Sequence, residues 1–361
     1  MHTDPRKAQS SCVRHVVAMP WPGRGHINPM MNLCKRLVSQ DPNLLVTFVV
    51  TEEWLGLIGS DPKPDMIHFA TLPNLIPSEL VRANDLTGFI DAVYTRLEEP
   101  FEHLLDRFSS QPLTAIIADT YVLWATRVGT QRNIPVVSLW IMPATLLSLF
   151  LHSDLLAAHG HFLVEPPSES KEDEIVDYIP GLAPTRLGDL LQIFHCDSNK
   201  MFNKFKPCFH ELSKAKYLLV PSAYELEPKA IDFLTSKFNF PVYATGPLIP
   251  FPDVSAGYDS KKPYYIQWLD GQPESSVLYI SQGSFLSGSE TQMEELVGGV
   301  RESGVRFLWV ARGGELKLKE ALEGSSGVVV SWCDQLRVLC HVAVGGFWTH
   351  CRFNSTLEGI Y

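Results

Sequence analysis

Ser331-Trp332-Cys333-Asp334-Gln335 and, further on, Val344-Gly345-Gly346-Phe347-Trp348-Thr349 running into His350-Cys351-Arg352-Phe353-Asn354-Ser355-Thr356-Leu357-Glu358-Gly359 are the stretch from which the rest of the chain can be read. Val344 to Thr349 is a short apolar run, which predicts a strand, and the polar residues from His350 onward predict the opening of a helix. Such a junction suits an anion. The first helical N–H groups have no partner inside the helix, and the macrodipole is positive there. His350, Asn354 and Ser355 add donors, Trp332 offers a flat face to a base, and Gln335 and Glu358 are placed to hydrogen-bond sugar hydroxyls. Together they describe a nucleoside-diphosphate site. Plainer readings stand beside these: Trp332 as a core aromatic, Glu358 as a solvated helix acid, and Gly345-Gly346 as close packing of strand on helix.

Outward from that junction, short β-rich runs alternate with helical ones, the pattern of parallel sheets covered on both faces. Strands are expected at His15 to Pro20, Leu44 to Val50, Ile67 to Leu72, Leu113 to Asp119 and Ile134 to Trp140, then at Tyr217 to Pro221 and Val242 to Gly246. A helix is expected after Pro29, ending near Gln40, and a long amphipathic stretch from Asn84 to Phe108. Glu165 to Asp177, acidic and rich in Pro and Ser, reads as a mobile surface loop. Pro247 to Pro263 reads as a linker between domains. A second alternation follows, with strands at Val277 to Ser281, Arg306 to Val310 and Val328 to Trp332, a helix at Glu290 to Glu302, and the strand into His350. The expected fold class is therefore α/β with two Rossmann-like domains: residues 1–248, a linker at 249–263, and residues 264–361.

Composition narrows the function classes. Of 361 residues, 45% are hydrophobic and 19% charged, an ordinary globular balance. The formal charge of −10, with no Lys/Arg block, argues against nucleic acid as a partner. The seven cysteines lie scattered without paired spacing, which suits a reducing compartment. Met1 to Ser11 has no apolar core and is no signal peptide. The most apolar run, Ile134 to Leu151, is interrupted by Ser138, Pro143, Thr145 and Ser148 and falls short of the roughly 20 residues that span a bilayer. A cytoplasmic monomer without a membrane span is expected.

Chemistry is expected at His26, in the Gly/Pro-rich segment directly after the first strand, and at Asp119, which ends the fourth. In a doubly wound order 3-2-1-4-5 those strands are neighbours at the switch point, so the two side chains would meet at the carboxyl edge of the sheet. A carboxylate on one imidazole nitrogen fixes the tautomer and leaves the other nitrogen to take a proton. Alone, His26 reads equally as a turn histidine and Asp119 as a helix cap. Cys333, Cys340, His341, His350 and Cys351 lack zinc-finger spacing, so no metal is assigned. Nor does an Asp-x-Asp pair occur. A nicotinamide dehydrogenase is disfavoured because Gly23-Arg24-Gly25-His26 breaks off after its second glycine.

The W-x-x-Q … G-G-F-x-T-H-C-x-x-N-S-x-x-E pattern resembles the donor-binding box of the plant family 1 UDP-glycosyltransferases, most of all the subfamily numbered 87. Pro22-Gly23-Arg24-Gly25-His26-Ile27-Asn28-Pro29 and Gly283-Ser284 are also as in that family, so the resemblance covers nearly the whole chain. It implies a GT-B fold, two Rossmann-like domains facing a cleft, with acceptor bound by the first and UDP-sugar by the second. It further implies His26 as general base oriented by Asp119, and donor contacts from Ser284, Trp332, Cys333, Gln335, His350, Asn354, Ser355 and Glu358. The activity implied is inverting transfer, without metal or cofactor, from a UDP-sugar to a small apolar acceptor near Trp21, Tyr121 and Trp140, glucose being the common donor.

Two departures carry expectations. Arg352 stands where the family usually has Gly, at the helix start; a side chain there would be strained if the backbone took φ > 0, and UDP affinity would fall. The chain also stops at Tyr361, inside the box. This predicts an incomplete second domain with an uncovered apolar face including Val328 to Val330 and Phe347, and little or no transferase activity. The alternative function is accordingly a non-catalytic copy that binds acceptor or partner only.

Overall fold

The computed structural model describes residues 13–61, 63–82, 85–108, 112–161, 172–191, 196–250, 262–282, 290–311 and 315–361. The chain divides into two compact units, Met1–Leu248 and Ile249–Tyr361. Of the segments singled out above, Gly283-Ser284, residues 165–171 and residues 251–261 lie outside the described residues.

Among the described residues, the first unit carries β1 (Arg14–Met19), β2 (Leu44–Thr51), β3 (Ile67–Leu72), β4 (Leu113–Asp119), β5 (Val136–Leu139), the short antiparallel pair β6 (Ile175–Val176) and β7 (Thr185–Arg186), then β8 (Tyr217–Val220) and β9 (Val242–Ala244). Seven of these form one parallel sheet in the order β3-β2-β1-β4-β5-β8-β9. Because side chains alternate across a strand, Val17 and Met19 enter a core with Phe89, Val93 and Phe101, while Val16 and Ala18 enter another with Ile27, Met30 and Phe48. Burial on both faces is why β1 reads as a continuous apolar run rather than an alternating one. The unit extends to Leu248 because that residue is buried in the second of these cores. Asn32 donates to the Leu248 carbonyl at 2.9 Å, and Arg36 to that of Pro247 at 2.6 Å.

Two helices differ from expectation. The first spans Arg24–Gln40 and so begins before Pro29, not after it. Ile27, Met30, Cys34 and Val38 share its buried face, and packing Ile27 against the sheet continues the helix through a proline that lacks its own N–H. The stretch from Asn84 to Phe108 is two helices, Leu86–Arg96 and Glu98–Asp106, which meet at Leu97. Pro100 accounts for the break, since its ring collides with the carbonyl four residues earlier and it cannot donate to it. In the acidic segment, Ile175 and Val176 are tied into β6 rather than left in a loop.

The second unit carries β10 (Val277–Ser281), β11 (Arg306–Val310), β12 (Gly327–Val330) and β13 (Val344–Thr349), a parallel sheet in the order β12-β11-β10-β13 among the described residues. Val277, Tyr279, Leu308 and Val330 face one core; Ile280, Phe307, Trp309 and Val329 face the other. Val329 and Val330 are thus buried, whereas Val328 and Phe347, expected with them on an uncovered face, are half-buried. The register of β13 on β10 slips between Val344 and Gly346, leaving Gly345 as the extra residue of a bulge. Its backbone lies against Ser275, whose carbonyl a Cβ would strike. The close packing that needs a glycine is therefore strand against the turn before β10, not strand against helix.

Candidate active site

His26 is the third residue of the helix that follows β1, and the N–H groups of His26 and Ile27 both bond the Gly23 carbonyl at 2.9 Å. It is a helix residue, not a turn residue. Because β1 and β4 are neighbours, the imidazole reaches the end of β4, where His26 Nδ1 lies 2.7 Å from Asp119 Oδ2. Asp119 is buried and its other oxygen accepts the Tyr121 N–H at 2.9 Å, so both carboxylate oxygens are held. A carboxylate only accepts, which places the proton on Nδ1 and leaves Nε2 with a lone pair. The His26 side chain stays 21% exposed, enough for Nε2 to meet a substrate.

The backbone under His26 is braced from one side. Arg82, buried, donates from Nη1 to the Pro22 carbonyl at 3.1 Å, pairs with Glu79 at 2.8 Å, and lies over the Phe89 ring at 5.5 Å. Its Nη1 would be 2.6 Å from a Cβ on Gly23, so a side chain there would push the guanidinium aside; the Gly23 φ of −179° is ordinary extended backbone. An aromatic wall packs beside the imidazole. Trp21 and Tyr121 lie 6.4 and 5.9 Å from the imidazole, and Phe205, Trp140 and Phe209 continue the packing. Trp21, Tyr121 and Trp140, expected to line an acceptor site, are each 6% exposed or less and packed on one another. Behind them the Tyr94 hydroxyl is 3.0 Å from Cys208 Sγ, and burial pushes that thiol up to about 12. Arg82, Tyr94 and Cys208 carried no signal in the sequence, since their roles follow from packing across distant segments.

In the second unit the helix after β13 begins at Phe353, not at His350. Thr356 N–H to Arg352 O, 2.9 Å, is the bond that opens it. Arg352 is the N-cap, at φ −68° and ψ 148°, the β-region backbone that caps normally adopt. The strain expected at Arg352 is absent. It falls one residue earlier, on Cys351, with φ +55°. The reversal from strand to helix is made at Cys351. Burial and the charge of Arg352 push the His350 imidazole below its ordinary value, which keeps it neutral.

Trp332 follows β12 and is 53% exposed, so the reading of it as core is set aside. Cys333 turns the other way, its thiol buried 3.4 Å from the Tyr279 hydroxyl. Gln335 opens the helix Gln335–Leu339 and donates from Nε2 to Glu358 Oε2 at 2.8 Å and to Ser355 Oγ at 3.3 Å. Burial raises the Glu358 carboxyl while the bond from Gln335 opposes that shift. Glu358 is therefore no solvated helix acid. The structure brings together Gln335, Ser355 and Glu358 across two helices; Ser284 lies outside the described residues.

Residues 205–361 match the family model for UDP-glucoronosyl and UDP-glucosyl transferases. The chain is 77% identical over 342 residues to UDP-glycosyltransferase 87A1 of Arabidopsis thaliana, an alignment covering 95% of this chain and 77% of the relative. It is 72% identical over 358 residues to UDP-glycosyltransferase 87A2 of the same plant, covering 99% and 78%. The chain belongs to the plant family 1 UDP-glycosyltransferases, subfamily 87. Among solved structures, a UDP-glucose:anthocyanidin 3-O-glucosyltransferase in complex with UDP superposes on this UDP-glycosyltransferase with a TM-score of 0.79 at 27% identity, covering 96% of this chain and 78% of that one. Phytolacca americana UGT2, complexed with UDP-2-fluoro-glucose and pterostilbene, gives 0.74 at 26%, with the same coverage. The fold class is GT-B, built from Rossmann-like α/β units with parallel sheets. Among the described residues of this glycosyltransferase no helix is long and apolar enough to cross a membrane.

Proposed function

We propose that the activity for which these residues are arranged is inverting transfer of a hexosyl group, glucose in the first instance, from a UDP-sugar to a hydroxyl of a small, largely apolar acceptor. The observation that carries the reading is the 2.7 Å bond between His26 Nδ1 and Asp119 Oδ2. With Nδ1 held, Nε2 takes the proton of the acceptor hydroxyl while its oxygen bonds the anomeric carbon and UDP leaves. Asp119 stabilises the imidazolium so formed. The acceptor is assigned to the neighbourhood of Trp21, Tyr121 and Trp140, whose buried rings pack beside the imidazole, and one structural neighbour is complexed with pterostilbene. The donor is assigned to the second unit, with Trp332 against the base and Gln335 and Glu358 at the ribose. His350, Asn354, Ser355, the Cys333 backbone and Ser284 are assigned to the diphosphate and sugar.

No Asp-x-Asp pair occurs in the sequence, so the leaving diphosphate is assigned to the helix start after His350, with Asn354, Ser355 and the Gly283-Ser284 turn, rather than to a metal. Activity that EDTA abolished would contradict this. The reading includes a monomeric state and a cytoplasmic location, the latter supported by the reduced thiols of Cys34, Cys208, Cys340 and Cys351. The decisive experiment is His26→Ala assayed with UDP-glucose and a panel of phenols. A loss of about 10²- to 10⁴-fold in kcat is expected, and an undiminished rate would remove His26 as the base.

A further inference from the structure

Tyr279 lies in β10 with its ring 1% exposed and stacked on Phe347, centroids 5.0 Å apart and planes 20° apart. Its hydroxyl is 3.2 Å from Gln335 Oε1 and 3.4 Å from Cys333 Sγ. A phenol has one proton and the amide oxygen only accepts. The O–H therefore donates to Gln335, and the Cys333 thiol donates to the phenol oxygen. The amide is thus oriented at both ends: oxygen toward Tyr279, nitrogen toward Glu358 and Ser355. Rotating it by half a turn would set an amide oxygen against the Glu358 carboxylate, acceptor against acceptor, in a half-buried place where that mismatch costs most.

We propose that Tyr279 is a positioning residue for donor binding: its O–H sets the orientation of the Gln335 amide, and that amide holds the Glu358 carboxylate where it takes the ribose hydroxyls. This rests on the assignment of the donor to the second unit. Tyr279 touches no ligand itself. Its effect is confined to the hydroxyl-reading end of the nucleotide and leaves base stacking and phosphate contacts alone.

That confinement separates the role from a merely structural one. UDP and 2′,3′-dideoxy-UDP are titrated calorimetrically into the whole 361-residue chain and into Tyr279→Phe, which keeps the ring and its stack on Phe347. The unaltered chain is expected to prefer UDP by about tenfold or more, as a hydrogen bond to a charged group implies. Tyr279→Phe is expected to bring the two ligands within about twofold, with dideoxy-UDP affinity little changed. Gln335→Leu should collapse the preference alike, and adding Tyr279→Phe to it should cost nothing more. Equal loss for both ligands, an unchanged preference in Tyr279→Phe, or an unchanged preference in Gln335→Leu would each overturn the role of Tyr279. Absence of UDP binding by the unaltered chain would overturn the donor-site assignment and this inference with it.

Discussion

The junctions after β1 and after β13 are built from the same parts and do opposite things. Each leaves the carboxyl end of a parallel strand and enters a helix with no side-chain cap. After β1 the strand is central, the helix has 17 residues with six buried, and a side chain, His26, is gripped by a carboxylate. After β13 the helix opens at Phe353 behind an extended N-cap, Arg352, and what is presented is the helix start itself. A side chain that must keep one angle needs support from several elements.

Predictions follow from that contrast, the largest first. Asp119→Asn should lower kcat by about 10²- to 10⁴-fold, because an amide can turn its NH₂ toward His26 and release the imidazole. UDP affinity, assigned here to groups of the other unit, should be unchanged by calorimetry; a matching loss there would break the comparison. Arg82→Lys should cost about tenfold in kcat with an unaltered KM for UDP-sugar, since a lysine cannot bond the Pro22 carbonyl and Glu79 in one plane over Phe89. A shift in KM alone would place Arg82 elsewhere in the cycle. Cys351→Gly should raise stability by at most about 1 kcal/mol, the strain relieved at φ +55° less the entropy of a glycine. Thermal melts should show no such gain for Arg352→Gly, whose backbone is extended.

Much of the fold was legible. The limits of β3, β4, β10, β11 and β13 coincide with those read from the sequence, because each is a short apolar run flanked by residues that end it. Helix starts were harder. Pro29 looks like the residue before which no helix begins, yet the burial of Ile27 carries the helix past it. The pairing of His26 with Asp119 was legible because strand order alone brings β1 beside β4. Arg82 and Tyr279 were not. One is an ordinary arginine in a loop and the other an ordinary aromatic in a strand, and only tertiary packing points their polar atoms at Pro22 and Gln335. The strain assigned to Arg352 was misplaced by one residue because sequence position does not say which residue makes the reversal.

Asp119 divides its two oxygens between His26 and the Tyr121 N–H, and Tyr121 belongs to the aromatic wall. One carboxylate therefore answers to both the imidazole and the buried ring packed beside it. An acceptor too bulky for the wall, by displacing Tyr121, would pull on the group that aims the imidazole. Misfit would then be punished as slow turnover even where the molecule binds well, and discrimination among acceptors would be written in kcat more than in KM.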